Sequence, residues 1–415
     1  MPTPVSAEQP VEVRFSGWWV VGAVFLLLAA NAGLGFYGLA IYLEAITAEQ
    51  DLSTTTVSLA TSMVFVLAGI AGRVIAPLIE RRDVRIVVAI GAFMMAASLA
   101  LMGRVDSVPS LFGTYAIFAG GFALSGLVPA TTLITRWFHS KRSMALSIAS
   151  TGLSFGGLTF ARLASELVDR NGLSSAGPTL GLIYLVTIAI AILAMWPHPR
   201  LRGQVPDGAL TAPDEAATAE ASVDYDRAIR TRFFAIICIG FVFSMSSQVG
   251  GIAHIAKLGA ERIDRPAGAL AVSAVALSSV VFRLLGGWAA SRVSMMLMVS
   301  LLSALQAVSM VGLAFADSTV SLVIWALVFG GTIGNLLMLQ PLIVAEAFGV
   351  AAYPRIFAYQ QMIVTAGIAT GPFIVGWLRD ASGYRTAYLI AASLSLVGAA
   401  LLTQSGSWRP TPATV

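Results

Sequence analysis

The sequence is poor in charged residues and in cysteine, and these two shortages exclude several classes of protein. Of the 415 residues, 11% are charged and 57% are hydrophobic, whereas a soluble domain carries about 25% charged residues. The single cysteine, Cys238, cannot form an intramolecular disulfide, and no CxxC motif or Cys/His cluster is present for zinc. Because so little polar surface is available to face water, the composition predicts that lipid surrounds most of the chain.

Other absences narrow the function further. The sequence has no basic run with interleaved aromatic residues, so the net charge of +4 does not indicate nucleic-acid binding. It also has no nucleophile–base pair, phosphate-binding loop or soluble domain large enough for signalling. The polar segment 1–16 lacks the basic region and cleavage site of a signal peptide. We therefore predict a non-enzymatic membrane protein that needs no cofactor.

A helix needs about 20 mostly apolar residues to cross a bilayer. The sequence contains twelve apolar runs that are long enough. The longest polar stretch, 197–232, separates six runs from six and predicts a flexible linker between two related halves. The predicted fold is an all-α membrane protein with twelve transmembrane helices in two pseudo-symmetric six-helix bundles. The predicted spans are 18–46, 54–79, 84–103, 109–136, 143–167, 179–196, 233–256, 267–290, 294–316, 318–345, 354–378 and 385–405.

The loops give the orientation of this bundle. Fifteen Lys and Arg residues fall on the side of the two termini and seven on the other side. Positively charged loops stay in the cytoplasm, so both termini are expected there. The resulting organisation is a cytoplasmic tail (1–16), an N-terminal bundle (17–196), a cytoplasmic linker (197–232), a C-terminal bundle (233–405) and a cytoplasmic tail (406–415).

Two arginines lie near the middle of predicted spans. Arg73 precedes Arg81 by eight residues and Arg283 precedes Arg292 by nine, or about 12–14 Å of helix. They occupy the second helix of each half, so a symmetry axis along the membrane normal would make them face one central cavity. A charge at this depth costs at least about 2.5 kcal/mol and needs a partner.

An anion is one such partner, because a guanidinium binds carboxylate-like oxygens with two parallel hydrogen bonds and stays charged at any working pH. The predicted substrate-binding residues are therefore Arg283 and Arg73. The alternative is that each arginine bonds to backbone carbonyls or extends to the cytoplasmic face. Weaker polar candidates for the same site are Asn31, Tyr37, Gln248, Asn335 and Gln361.

Two further groups of polar residues lie towards the opposite membrane face. Arg162 and Glu166 are four residues apart and are predicted to form a structural or gating ion pair. His254 is a candidate proton-linked residue because histidine titrates near neutral pH. A hydrogen-bonded histidine at the membrane interface is the alternative interpretation.

The loop after the second span resembles a motif of the major facilitator superfamily, Gly-x-Leu-Ala-Asp-Arg-x-Gly-Arg. Glu80 stands for the acid and Arg81 and Arg85 for the bases, while Ala76 and Asp83 replace glycines. In the superfamily these loops latch the two halves together, which implies a gating role for the three charged residues. The resemblance spans essentially the whole chain and implies the superfamily's transporter fold.

Within this superfamily, the chain is most similar to the monocarboxylate and oxalate/formate porter branch. The similarity includes Trp18 and Trp19 opening the first span, the stretch 137–145 and the stretch 282–287. The branch has an eighth-helix arginine that binds the substrate carboxylate, and Arg283 matches it. The chain lacks the lysine that some members carry in the first or eleventh helix. Arginines on the second and eighth helices also resemble nitrate porters, whose glycine/asparagine signature is absent.

These observations predict a secondary transporter that moves a small monocarboxylate or short dicarboxylate across the inner membrane by alternating access. Coupling could be proton symport or anion exchange. The expected partners are this anion, the lipid bilayer and protons, with no nucleic acid, and we expect a monomer. The alternatives are an efflux pump for a neutral or weakly polar compound and a porter for an inorganic anion such as nitrate.

Overall fold

A computed structural model describes residues 15–50, 52–208 and 223–404, and these residues form helices and connecting turns without a β-strand. Most of both predicted tails, 1–14 and 405–415, lies outside the described residues. We call the side of the molecule where the first helix begins, at Gly17, the near side, and the other the far side. Each successive long helix reverses direction between these two sides.

Ten helices are long and apolar enough to cross a membrane. Two of them contain a glycine with non-helical backbone angles, Gly172 (φ 69°) and Gly383 (φ 80°), and each of these glycines divides its helix into two spans. The twelve predicted spans are thereby confirmed. They are α1 (Gly17–Glu49), α2 (Thr54–Arg81), α3 (Val84–Met102), α4 (Val108–Trp137), α5 (142–171), α6 (173–194), α7 (Arg232–Arg262), α8 (Arg265–Ala289), α9 (Met295–Phe315), α10 (Thr319–Phe348), α11 (353–382) and α12 (384–404).

Several helices begin at the polar residues that favour helix starts. The side chains of Ser53, Asp83 and Asp264 each accept a hydrogen bond from a backbone N–H in the first turn of α2, α3 and α8. At the tight turn of Gly172, the Glu49 carboxylate accepts a hydrogen bond from the Leu173 N–H at 2.9 Å. Thus the end of α1 also caps the beginning of α6.

The two halves use the same close packing between their first and fifth helices. In the N-terminal half, a Cβ on Gly152 or Gly156 of α5 would collide with the backbone of α1 at Phe25 and Ala29. In the C-terminal half, Gly367 and Gly371 of α11 lie against the backbone of α7 at Val242 and Ser246. Small residues let membrane helices approach closely. The equivalent contacts support the relation between the halves that the sequence predicts.

The described part of the linker is docked on the near side through side-chain hydrogen bonds. The Asp207 carboxylate accepts hydrogen bonds from the N–H groups of His139, Ser140 and Lys141 in the turn between α4 and α5. Gln204 accepts from the Ser16 N–H at 3.0 Å. These side-chain contacts are not visible in the composition of the linker. Residues 209–222 lie outside the described part of the chain.

We expect Gly156→Ala to destabilise the protein, because its methyl group would press against the carbonyl oxygen of Ala29. Overpacking of this kind costs about 1–3 kcal/mol. Gly113→Ala is the matched control, since nothing lies within 4 Å of its added Cβ and alanine is the better helix former. The measurement is the thermal unfolding midpoint in detergent. Equal midpoints for the two variants would contradict the proposed close packing.

Docking of the linker should respond to pH through Asp207. Partial burial raises the pKa of Asp207, but the hydrogen bonds from Ser140, Lys141 and His139 outweigh it and bring the pKa below its usual value. The stabilisation is therefore present above the unfolded pKa of about 3.9 and is lost as the pH falls through the lower folded pKa. Asp207→Asn should lower the thermal midpoint at neutral pH, and the difference from wild type should shrink only in strong acid. If the thermal midpoints of wild type and Asp207→Asn already coincide near pH 6, the stabilising role of the ionised Asp207 carboxylate is contradicted.

Candidate functional site

Arg283 is the most deeply buried charged side chain of the described protein, with 2% of its surface exposed. It lies on α8, about 9 Å of helix before the near-side end at Ala289. Among the described residues, no carboxylate lies within ion-pair distance of its guanidinium group. A buried charge without a counter-charge is costly, so this group is the first candidate for an anion site.

The Arg283 side chain connects the two halves. Its Nη1 donates a hydrogen bond to the backbone carbonyl of Ser150 on α5, and its Nη2 donates to the Ser279 hydroxyl at 3.4 Å. The hydroxyl of Ser147 on α5 donates to the Arg283 carbonyl at 2.5 Å. The bond to the Ser150 carbonyl agrees with the alternative in which the arginine pairs with backbone carbonyls. The Nε–H donor, however, has no described partner.

Helix α10 holds Arg283 in place from the other side. Gly334 leaves room for the arginine side chain, since a Cβ there would meet the Arg283 Nε. The neighbouring Asn335 donates from Nδ2 to the carbonyls of Phe282 and Gly331, both at 2.9 Å. Its Oδ1 has no described partner. Asn335 is thus a positioning residue for this turn of α8.

Tyr37 approaches Arg283 from the N-terminal half and interacts electrostatically with its charge. Tyr37 ends a π-helical turn, Asn31–Tyr37, that interrupts the α-helical geometry of α1. Such turns are rare and often occur at functional sites. The ring packs against Gly157 of α5 and remains exposed. The sequence places Tyr37 in the correct region but does not reveal the π-turn.

Asn31 belongs to a hydrogen-bond network inside the N-terminal half. Its Nδ2 donates to the Phe122 carbonyl at 3.1 Å and approaches the hydroxyls of Ser125 and Tyr184 at 3.3 and 3.4 Å. The hydroxyl oxygens of Ser125 and Tyr184 are hydrogen-bonded to each other at 2.6 Å. These contacts join α1, α4 and α6 where the α-helical pattern of α4 is interrupted. The amide supports this packing, and a contact of Asn31 with substrate stays a prediction.

The C-terminal half contains buried amides without described partners. Gln248 on α7 has an unpaired Oε1, and so does Gln361 on α11. Two other glutamines, which the sequence also offers as weaker polar candidates, have the same character: Gln340 on α10 has an unpaired Oε1, and the Gln360 amide on α11 lacks a described partner at both Oε1 and Nε2. Buried polar groups are normally paired, so these four side chains are candidate contacts for a polar cargo.

The structure places Arg73 and Arg283 in different environments in this conformation. Arg73 is exposed, and its guanidinium lies 5.4 Å from the ring centre of Tyr359. It lines a near-side cavity together with Arg81 and Arg355. The predicted opposition of two arginines across one chamber is therefore not what this structure shows, because the Arg73 side chain points towards the near side.

The far-side groups have local partners. Arg162 pairs with Glu166 at 3.0 Å, as their spacing predicts, and both residues are exposed. The two ring nitrogens of His254 lie 3.2 Å from the Tyr384 hydroxyl and 3.1 Å from the Pro372 carbonyl oxygen. His254 thus connects α7, α11 and α12 within one half, which matches its interpretation as a hydrogen-bonded histidine.

The end of α2, the turn after it and the start of α3 carry the charged residues of the motif, although their ion pairs differ from those that the motif implies. Glu80 bonds to Arg355 of α11 at 2.7 Å, which links the two halves. Arg85 pairs with Asp83 at 2.7 Å, so the residue that replaces a glycine of the motif supplies its acid. Arg81 lines the near-side cavity and forms no described ion pair.

The described polar contacts between the two bundles lie in their near-side parts. They include the Glu80–Arg355 ion pair, the Arg283–Ser150 bond, the Ser147–Arg283 bond and the contact of the Arg73 guanidinium with the Tyr359 ring. Gly72 of α2 also packs against Ala358 of α11. This structure therefore represents the arrangement in which the bundles meet on the near side.

The match to a known family follows from this architecture. The sequence pattern described as Major Facilitator Superfamily matches residues 24–339 and 232–414. The chain belongs to the Major Facilitator Superfamily. It is accordingly a multi-pass membrane protein and a non-enzymatic transporter, as the composition and the spans predict.

Individual relatives and solved structures agree with this assignment. The chain is 25% identical over 392 residues to rat monocarboxylate transporter 13, covering 93% of this chain and 88% of that protein. It is 26% identical over 181 residues to the oxalate:formate antiporter of Oxalobacter formigenes, covering 43% of each. The transporter FucP in its outward conformation superposes with a TM-score of 0.69 at 16% identity, covering 96% and 100% of the two chains.

We expect Glu80→Gln to loosen the near-side contact of the bundles, because the neutral amide cannot form the ion pair with Arg355. A cysteine at Ala358, which is 1% exposed between α11 and α2, should then react faster with a polar maleimide. The background is Cys238→Ala, which removes the native thiol. A partly exposed ion pair contributes about 1 kcal/mol or less to stability. Removing this pair should therefore raise the population of the opened bundle contact, and with it the labelling rate, about tenfold or less.

The control for this experiment is Glu166→Gln, which breaks the exposed pair within α5 and leaves the bundle contact intact. Its labelling rate should equal that of the parent. If Glu80→Gln also labels at the parental rate, the Glu80–Arg355 pair does not stabilise near-side closure.

Proposed function

We propose that this transporter moves a small organic anion, a monocarboxylate or short dicarboxylate, and that Arg283 binds its carboxylate. The observation that carries the proposal is the buried guanidinium of Arg283 with no carboxylate neighbour among the described residues. The similarity to a monocarboxylate transporter and to an oxalate:formate antiporter supports the same substrate class.

The physical reason lies in the balance of charge at Arg283. A buried cation loses its hydration, and two neutral acceptors, Ser150 and Ser279, replace only part of it. A carboxylate would supply the missing negative charge and accept charge-assisted hydrogen bonds, which are about twice as strong as neutral ones. A neutral or cationic cargo would leave the charge uncompensated. The chemistry of the site therefore favours an anion over the substrates of a neutral-compound efflux pump.

The anion would also connect binding with alternation. In this structure Arg283 contributes to the contact between α8 and α5 through the Ser150 carbonyl. A carboxylate bound to the guanidinium competes with that carbonyl. The substrate therefore interacts differently with the state in which the two bundles are in contact and with the state in which they are separated. Such differential interaction is what allows a ligand to shift a conformational equilibrium. Tyr37 offers a hydroxyl from the opposite bundle.

The proposed orientation puts the near side in the cytoplasm of a cell whose inner membrane the chain spans. The excess of Lys and Arg in near-side loops supports this orientation. The described arrangement then corresponds to a transporter closed towards the cytoplasm. We propose that the monomer is the transporting unit, because each chain supplies both bundles.

Coupling follows from the groups around the site. Neither His254 nor any described carboxylate contacts Arg283. A proton relay through the protein at this point is therefore disfavoured. We propose either exchange against a second anion or symport of a proton carried with the substrate. Uptake driven by an imposed pH gradient, compared with uptake driven by an internal counter-anion, separates these two modes.

Proteoliposome uptake of a labelled monocarboxylate tests the site. Arg283→Gln should lower apparent affinity at least about 30-fold, because truncating one partner of a buried hydrogen-bonded charge pair costs about 2–5 kcal/mol. Arg283→Lys should retain part of the activity, since it keeps the charge but loses the planar fork. The control is Arg162→Gln, which removes an exposed arginine on the far-side part of α5.

Three outcomes would reject the proposal in different ways. Wild-type uptake that persists in Arg283→Gln would remove Arg283 from the site. Competition by nitrate but not by carboxylates would indicate an inorganic-anion porter. Export of an uncharged compound without any anion uptake would indicate an efflux pump.

A further inference from the structure

A second group of arginines lines a near-side cavity of about 310 Å³, close to the lower limit of about 300 Å³ for ligand pockets. The cavity lies where α2 meets α11 and the end of the linker. Its walls are formed by Arg73, Ala76, Pro77, Arg81, Tyr225 and Arg355. These arginines contact neither Arg283 nor its serine partners among the described contacts, so the cavity is separate from the proposed substrate site.

The cavity carries positive charge that its own residues do not neutralise. Among the described residues, Glu80 forms an ion pair with one of the three arginines, Arg355. No carboxylate among the described residues forms an ion pair with Arg73 or Arg81. Within the described part of the chain, Asp226 also lies near the cavity, where it interacts electrostatically with Tyr225, and Glu80 interacts with Arg81 as well as with Arg355. The balance of charge therefore favours an anionic occupant.

The positions on α2 indicate what kind of anion fits. Arg73, Pro77 and Arg81 follow one another at intervals of four residues, so they lie on one face of the helix over about 12 Å. Towards the far side this face continues with Val66 and Ile70, which are 51% and 52% exposed, and Val74, between Arg73 and Pro77, is 73% exposed beside it. A charged head site thus runs directly into an open apolar ridge.

We propose that this cavity binds the phosphate of an anionic phospholipid from the near-side leaflet. Arginine forms strong, paired hydrogen bonds with phosphate oxygens, and the Tyr225 hydroxyl can donate another. Basic pockets between spans are suited to lipid headgroups. The acyl chains would lie along Val66, Ile70 and Val74, a contact that a soluble phosphate cannot use. The proposal does not depend on the substrate of the transporter.

Native mass spectrometry of purified, delipidated protein provides the test, with phosphatidylglycerol as the probe and phosphatidylcholine as the neutral comparison. Wild-type protein should retain phosphatidylglycerol in preference to phosphatidylcholine. Arg73→Gln combined with Arg81→Gln should weaken its binding about 30-fold, as about 1 kcal/mol per basic residue near a lipid surface implies. Arg82→Gln, an exposed neighbour outside the cavity, should bind as wild type does.

A second pair of variants separates charge from packing. Arg73→Lys combined with Arg81→Lys keeps both charges and should retain most of the binding. A loss as large as that of the glutamine pair would show that packing, and not charge, decides binding, which would overturn the proposal. An equal loss in Arg82→Gln would overturn it too, since diffuse surface charge would then explain the preference.

The source of the phosphate is tested by adding inorganic phosphate or glycerol phosphate at millimolar concentration. Phosphatidylglycerol that stays bound under these conditions supports a lipid site with contacts beyond the phosphate. Full displacement, with thermal stabilisation by inorganic phosphate alone, would show a site for soluble phosphate and would overturn the lipid assignment. Carboxylate uptake by the double variant Arg73→Gln with Arg81→Gln is measured in a separate assay. The result for lipid binding is thereby kept distinct from the test of the proposed transport function.

Discussion

The buried charge of Arg283 is the constraint on which the functional interpretation depends. A guanidinium at 2% exposure cannot remain hydrated, and the described protein offers it two neutral oxygen acceptors and no carboxylate. Those acceptors lie on different helices, one of them in the opposite bundle. The same side chain therefore needs a counter-ion and helps to join the bundles. A transporter in which the cargo supplies the missing charge combines both properties at one position.

The rest of the fold serves to bring helices close enough for such a contact. Glycines on α5 and α11 allow backbone contact with α1 and α7, which makes each half a compact unit. The halves then meet through few polar contacts, including Glu80–Arg355 on the near side. Tight packing within each half and sparse contact between halves favours rigid-body movement of one bundle against the other. The arginine-lined cavity lies at this same junction of α2 and α11, where a bound lipid would touch both bundles.

Different parts of the site were predictable to different degrees. The burial of Arg283 could be predicted from its depth in an apolar span and from the motif around it. Asn31 had a similar appearance, yet its amide is engaged with Phe122, Ser125 and Tyr184, which are at least 91 residues away in the chain. Arg73 had the depth of Arg283, but its long side chain turns to the near side. The environment of each side chain is decided by its rotamer and by the helices packed against it. The amino-acid sequence alone does not contain this information.

The amino-acid sequence by itself determined the twelve spans, their division into two halves and the rarity of charge within the membrane. Hydrophobic run length is a local property of the chain, and the bilayer translates it directly into helices. Only the tertiary structure decided that Arg283 is buried against Ser150, that Arg85 pairs with Asp83, and that Arg73 joins Arg81 and Arg355. Those relations depend on which helix faces approach each other, and that approach is set by packing between residues far apart in the chain.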